Sequence, residues 1–305
     1  MDLGESGAWL PLSRTAIEMS MDAIKGRDAA NLEMVSVWDK PVPETAEVVH
    51  WAQTTWSGVA WQRWLHWKGE LGLGDGLKTI ELGCGYGKIS LLFGLSGAQT
   101  MLFDYNEAAL TSAEAAHAKL GLNPRSLGGD LLSLPAELHG RFDVACSFGT
   151  LEHFFGDNRS KAVVATASVL RPGGVFFVTV PNRHAIWYRI GFGARYRLGL
   201  MPRGMKEKPF SRAELGRLAH EAGVEILELE SVDTFWGDFH DWIGENAMSL
   251  TRKVTGWPKR AQPPPGASIE ELDASALRQL APRSYLDRHF SYSLLLIGRK
   301  RPERI

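Results

Sequence analysis

Three glycines stand at alternate positions, Gly83, Gly85 and Gly87, directly after the run Thr79-Ile80-Glu81-Leu82, with Cys84 and Tyr86 between them. Backbone without Cβ atoms can turn sharply, take φ > 0 and lie flat against a ligand. Lys88 to Phe93 reads as the first turns of a helix, so the loop sits at a helix N-terminus, a ready site for a nucleotide-like ligand. Asp104 closes a second apolar run, Gln99 to Asp104, 23 residues after Glu81. In a doubly wound sheet an acid there accepts hydrogen bonds from both hydroxyls of a ribose; the competing reading is an N-cap for the helix that begins near Asn106. His153 follows a further apolar run in Ser147-Phe148-Gly149-Thr150-Leu151-Glu152-His153-Phe154. An imidazole there could take a proton near neutrality, or it could be a pocket or packing residue.

The glycine spacing is G-x-G-x-G. A dinucleotide fingerprint wants G-x-G-x-x-G, and Lys88 stands where its third glycine belongs. Together with Glu81, the spacing resembles motif I of class I S-adenosylmethionine-dependent methyltransferases. Four later segments agree in order: Asp104, Gly128-Gly129-Asp130-Leu131, the strand Phe142 to Gly149, and Leu170-Arg171-Pro172-Gly173-Gly174 leading into Val175 to Val180 and Pro181-Asn182. The resemblance implies S-adenosylmethionine as cofactor. Glu81, Gly83, Cys84, Gly85 and Gly87 would surround its methionine part, with Phe148 and Gly149 closing that side. Asp104 would hold the ribose, Tyr105 would lie beside the adenine, and Asp130 and Leu131 would meet its edge. The related ubiquinone-pathway O-methyltransferases use Glu-x-x-Glu-His, tied to a divalent metal, where this chain has Gly149-Thr150-Leu151-Glu152-His153; one ligand is missing, which argues against metal dependence.

These residues need a sheet to hold them. From Leu77 the chain alternates strands and helices, the mark of a parallel sheet covered on both faces. Helices are predicted near Asn106–Leu120, Asn158–Leu170 and Ser211–Ala222, with Ser211 and Glu214 forming a capping box. Val224 to Val232 reads as a sixth strand and Phe290 to Lys300 as a seventh. The family implies a Rossmann-like, doubly wound seven-stranded α/β sheet whose last strand runs antiparallel between the fifth and sixth. Residues 1–76 are expected to be a helical extension, with Thr15 to Lys25 one element and Glu44 to Glu70 another, broken near Gly58. Trp51, Trp56, Trp61, Trp64 and Trp67 crowd the latter. They form either a packing stripe that docks the extension or an aromatic wall over the acceptor pocket. Residues 77–305 would be the methyltransferase domain, with insertions at 183–208 and 233–289.

The first insertion carries seven basic residues against the single acid Glu207, interleaved with Trp187, Tyr188, Phe192 and Tyr196. A solvated lid, a site for an anionic acceptor and peripheral contact with a membrane surface all fit this pattern. His184, Trp187, Trp236 and His240, with Trp56, are candidate acceptor contacts. A metal reading of Asp238, His240 and Asp241 is weakly motivated, and no metal is expected. Net charge is −1, which gives no pull toward nucleic acid. No run reaches the roughly 18 apolar residues of a membrane span. Two cysteines, both at positions expected to be buried, make no disulfide framework and suit a cytoplasmic setting. The reading is a methyltransferase acting on a small-molecule acceptor, most plainly at oxygen. N-, S- or C-methylation, a protein or RNA methyltransferase, an NAD-dependent oxidoreductase and a non-catalytic binding module are the alternatives.

Overall fold

A computed structural model of the chain describes residues 44–56, 58–190, 207–232 and 285–302. Seven strands form one sheet: β1 (Lys78–Leu82), β2 (Gln99–Asp104), β3 (Arg125–Gly128), β4 (Phe142–Phe148), β5 (Leu170–Pro181), β6 (Val224–Ser231) and β7 (Ser293–Lys300). Their order is β3-β2-β1-β4-β5-β7-β6. β1 to β5 pair in parallel, and β7 runs antiparallel between β5 and β6. This is the expected doubly wound Rossmann-like sheet. Strand order reverses beside β1, so the carboxyl ends of β1 and β4 flank the crevice where such sheets bind ligands.

Alternate residues of the central strands feed opposite faces, as the two-residue period of a strand requires. Phe176 and Val178 of β5 join Ile80, Leu82 and Phe103 in one core, while Val175 and Phe177 join Val144, Cys146 and Ile297 in the other. The second core also takes the helical extension. α1 (Thr45–Trp56) and α2 (Val59–Glu70) are separated at Gly58, as expected. Trp61 and Trp64 are fully buried, each edge-on to Phe93, and Trp64 stacks on Phe177 at 5.7 Å. The packing reading of the stripe therefore holds for these two rings. Trp67 instead turns its indole N–H to Glu228 Oε2 at 2.7 Å, and Arg63 meets Oε1 of the same carboxylate at 2.6 Å. Glu228 lies beside a register shift in the edge strand β6 and is almost buried, so the pair clips α2 across the sheet.

Further helices among the described residues are α3 (Lys88–Leu95), α4 (Glu107–Lys119), α5 (Asp157–Ser168), α6 (Arg212–Glu221) and α7 (Tyr285–Phe290). Three boundaries differ from expectation. β5 starts at Leu170, paired with Phe142, and only then bulges through Arg171-Pro172-Gly173-Gly174, so the preceding helix stops at Ser168. Phe290 ends a short helix and does not open β7. Ser211 does cap α6, its Oγ accepting from Glu214 N, but the Glu214 carboxylate goes to Arg159 and leaves the box half built. No helix among the described residues is long and apolar enough to cross a membrane.

Candidate active site

The glycine loop is shaped by its own backbone and by what stands around it. Gly83 N and Cys84 N both donate to Phe103 O, and Gly87 N donates to Cys84 O at 2.8 Å. Gly83, Gly85 and Gly87 have φ of 70°, 51° and 65°, the left-handed region that excludes most side chains. A Cβ on Gly83 would run into the Thr150 side chain, and one on Gly87 would stand 2.9 Å from His117 Cε1. Cys84 is buried with its thiol toward Gly85 O.

Glu81 does not face outward. Its Oε2 accepts from Ser90 N at 2.9 Å and Ser90 Oγ at 2.6 Å, so it caps the third residue of α3, where Gly87 offers no side chain. Burial pushes its carboxyl up from 4.5 to about 7, against the pull of the Ser90 bonds. An acid whose pKa is raised by folding contributes stability below its unfolded pKa, and that contribution is lost as pH rises through the folded value. We expect Glu81→Gln to remove on the order of 1–3 kcal/mol of the fall in unfolding free energy between pH 5 and pH 8. Denaturant titrations of both proteins across that range would show it; parallel curves would assign Glu81 an ordinary titration. His117, buried against the loop with Nδ1–H on Ala113 O, has its pKa lowered by burial. It therefore acts with the opposite sign, costing stability only as pH falls below the usual histidine range.

Asp104 ends β2 with its carboxylate buried. Oδ2 accepts from Gly85 N and Oδ1 from Asn106 N, each at 2.9 Å. The N-cap alternative is overturned: Asn106 caps α4 itself, accepting from Ala108 N and Ala109 N. Tyr105 N–H is a third backbone donor to this carboxylate, which with about four acceptor positions keeps capacity for a ribose hydroxyl. Asp130 caps the turn Leu131–Ser133 through Leu132 N, with Leu131 buried beside it. Tyr105 is half-buried beyond β2. Phe148 closes β4 edge-on to Phe177 at 4.9 Å, and Gly149 follows with φ 72°.

After β4 the chain turns through Leu151–His153, held to the glycine loop by Thr150 Oγ1, which donates to Gly83 O at 3.1 Å. His153 is half-buried on this turn, at the carboxyl end of the sheet. Its neighbour Glu152, the acid this chain retains from the Glu-x-x-Glu-His pattern, is buried, and Oε2 has no hydrogen-bond partner. Burial pushes the Glu152 carboxyl up to about 8. Across from it, buried Tyr188 donates to Glu207 Oε2 at 2.6 Å and meets Tyr292 edge-on. Trp187 is half-buried nearby in sequence, whereas His184 is exposed, its N–H on Asn182 Oδ1. Ile186 and Ile190 are exposed on the stretch 186–190. The Trp56 side chain, Trp236 and His240, with Asp238 and Asp241, lie outside the described residues, as do Thr15 to Lys25. Among the described residues no group of three or more His, Cys, Asp or Glu could hold a metal ion.

Comparison with known proteins converges on this corner. A family described as "Methyltransferase domain" matches residues 80–178. The ubiquinone biosynthesis O-methyltransferase of Thiobacillus denitrificans is 35% identical over 173 residues, covering 55% of this chain and 71% of that protein. That of Methylococcus capsulatus is 30% identical over 185 residues, covering 58% and 77%. Among solved structures, a proposed sarcosine dimethylglycine methyltransferase from Galdieria sulphuraria superposes with a TM-score of 0.50 at 18% identity, covering 78% of this chain and 84% of that one. The [4+2]-cyclase SpnF superposes at 0.51 and 18%, covering 77% and 78%. At such identity the structural matches speak for the fold alone.

Proposed function

We propose, from the premise that this chain belongs to the class I S-adenosylmethionine-dependent methyltransferases, that it methylates a hydroxyl oxygen of a small molecule. The cofactor is S-adenosylmethionine, which supplies an electrophilic methyl on a sulfonium when bound. The residues fit it: the loop Gly83 to Gly87 is bare of side chains at its glycines, and the buried Asp104 carboxylate stands directly beside that loop, bonded to Gly85 N. On this reading Gly83, Cys84, Gly85 and Gly87 line the methionine part, with Phe148 and Gly149 on its other side. Asp104 takes the ribose, and Tyr105, Asp130 and Leu131 take the adenine. Glu81 serves by anchoring α3 to β1 rather than by touching the cofactor.

The observation that carries oxygen as the target is the turn Leu151–His153, fixed against the glycine loop through Thr150 and Gly83. On this reading the turn brings the His153 imidazole and the Glu152 carboxyl to the incoming hydroxyl, since methyl transfer needs the acceptor atom held in line about 3–3.5 Å from the methyl carbon. His153 is the residue to take the hydroxyl proton. The similarity to proteins named as ubiquinone biosynthesis O-methyltransferases supports the same reading. Trp187 and Tyr188 suit the wall of the acceptor pocket.

Calorimetry with S-adenosylhomocysteine, followed by a panel of phenols, alcohols and amines scored by its formation, tests the assignment; turnover of amines alone would refute it. His153→Ala should lower kcat on a hydroxyl acceptor by about 10²–10⁴ with unchanged cofactor affinity. A loss under tenfold would return His153 to a packing role.

A further inference from the structure

Glu152 is out of place as a structural residue. It is 3% exposed, and its Oε2 has no partner. Buried polar atoms are seldom left so, and those that are tend to sit where function requires them. The groups around it are committed elsewhere. Arg159, the nearby cation, gives Nε to Glu214 and its terminal nitrogens to Phe154 O, Lys208 O, Pro209 O and Glu214. Glu207, the nearby acid, accepts from Tyr188. The main-chain carbonyl of Glu152 is held by Lys208 N at 2.9 Å, which fixes where the side chain starts. Its Oε1 lies 3.6 Å from where a Cβ on Gly149 would be, so the missing side chain at Gly149 leaves room on the Oε1 side of the carboxyl.

Burial, helped by the Glu207 charge, outweighs the hydrogen bond from its own main-chain N–H and the Arg159 charge, and holds the carboxyl up at about 8. A neutral carboxyl both donates and accepts a hydrogen bond, as a hydroxyl does. It offers little to an ammonium, which seeks negative charge.

We propose that Glu152 is an acceptor-contacting residue: its buried Oε2 hydrogen-bonds the hydroxyl of an uncharged small-molecule acceptor, and this contact, not the fold, is what the carboxyl serves. The proposal rests on the O-methylation reading. The site then tells hydroxyls from amines by a hydrogen bond to a buried carboxyl, and Glu152 helps set the orientation in which His153 works.

The test compares the full-length protein with Glu152→Leu and Glu152→Gln, using phenol, catechol and benzyl alcohol as acceptor probes. Removing an unpartnered buried carboxyl should leave the ligand-free Glu152→Leu protein melting at or above wild type, with S-adenosylhomocysteine affinity within about twofold. Its kcat/KM on the best probe should fall at least about tenfold, and Glu152→Gln should recover it to within about threefold. A Glu152→Leu protein that melts lower than wild type, or that keeps its turnover, overturns the proposal and leaves O-methylation standing. Wild-type protein that binds S-adenosylhomocysteine but turns over none of the probes removes the O-methylation reading, and this inference with it.

Discussion

Asp104→Ala should weaken S-adenosylhomocysteine binding by about 2–3 kcal/mol, roughly 30- to 150-fold, at 25 °C. Two losses combine. The ribose hydroxyls lose a charged acceptor, and such bonds are about twice as strong as neutral ones. The loop also loses its brace, because Gly85 N and Asn106 N both end on this carboxylate in the ligand-free chain. Left unanswered, the Gly85 N–H no longer holds a left-handed residue in place, and the backbone that should lie against the methionine part drifts. Asp104→Asn separates the two effects. Its amide oxygen can brace one backbone N–H, but its uncharged group accepts less well, so its affinity should fall between the others. Calorimetry on proteins shown by melting to be folded gives both numbers. An alanine variant within about threefold of wild type would remove Asp104 from the cofactor site.

The parts of the site that could be read in the sequence are those that local chemistry determines. Gly83, Gly85 and Gly87 announce themselves because alternate left-handed positions admit little else, and Asp104 because it ends an apolar strand at the spacing of a βαβ unit. The place of the antiparallel last strand followed from the family resemblance. What escaped depends on partners far along the chain. Whether Trp67 walls a pocket or clips a helix is decided by Glu228, 161 residues away. That Glu214 abandons its capping box is decided by Arg159, 55 residues earlier. The burial of Glu152 escaped for the same reason: the sequence places it in the Glu-x-x-Glu-His pattern, but its enclosure depends on distant chain such as Lys208, whose N–H holds its carbonyl. The end of α5 and the start of β7 were misread because Leu170 and Phe290 are apolar, and an apolar residue at a boundary fits either element.

Arg159→Ala should destabilise the fold by about 3–5 kcal/mol, the usual cost of removing one partner from a buried ion pair. Arg159 is 3% exposed, lies over the Phe210 ring at 3.3 Å and binds Glu214 Oε1 at 2.8 Å. It also answers the carbonyls of Lys208 and Pro209, which no helix or strand would satisfy. Arg159→Lys should recover little, since a single ammonium cannot reproduce a planar fork directed at a carboxylate and several carbonyls at once. The effect should reach the site. Residues 207–210 are strung between this guanidinium, the end of β5 and the Leu151–His153 turn: Phe210 N donates to Pro181 O, and Lys208 N donates to Glu152 O. Releasing them uncovers the turn that carries Glu152 and His153. At a temperature where the variant is still folded, kcat should therefore drop several-fold while S-adenosylhomocysteine affinity holds, because Asp104 and the glycine loop lie on the other side of β4. Urea unfolding gives the stability term, and the split between kcat and cofactor affinity gives the second. An Arg159→Ala protein within about 1 kcal/mol of wild type would mean that the buried pair is matched by water in the variant, and that the segment is held by its backbone bonds alone.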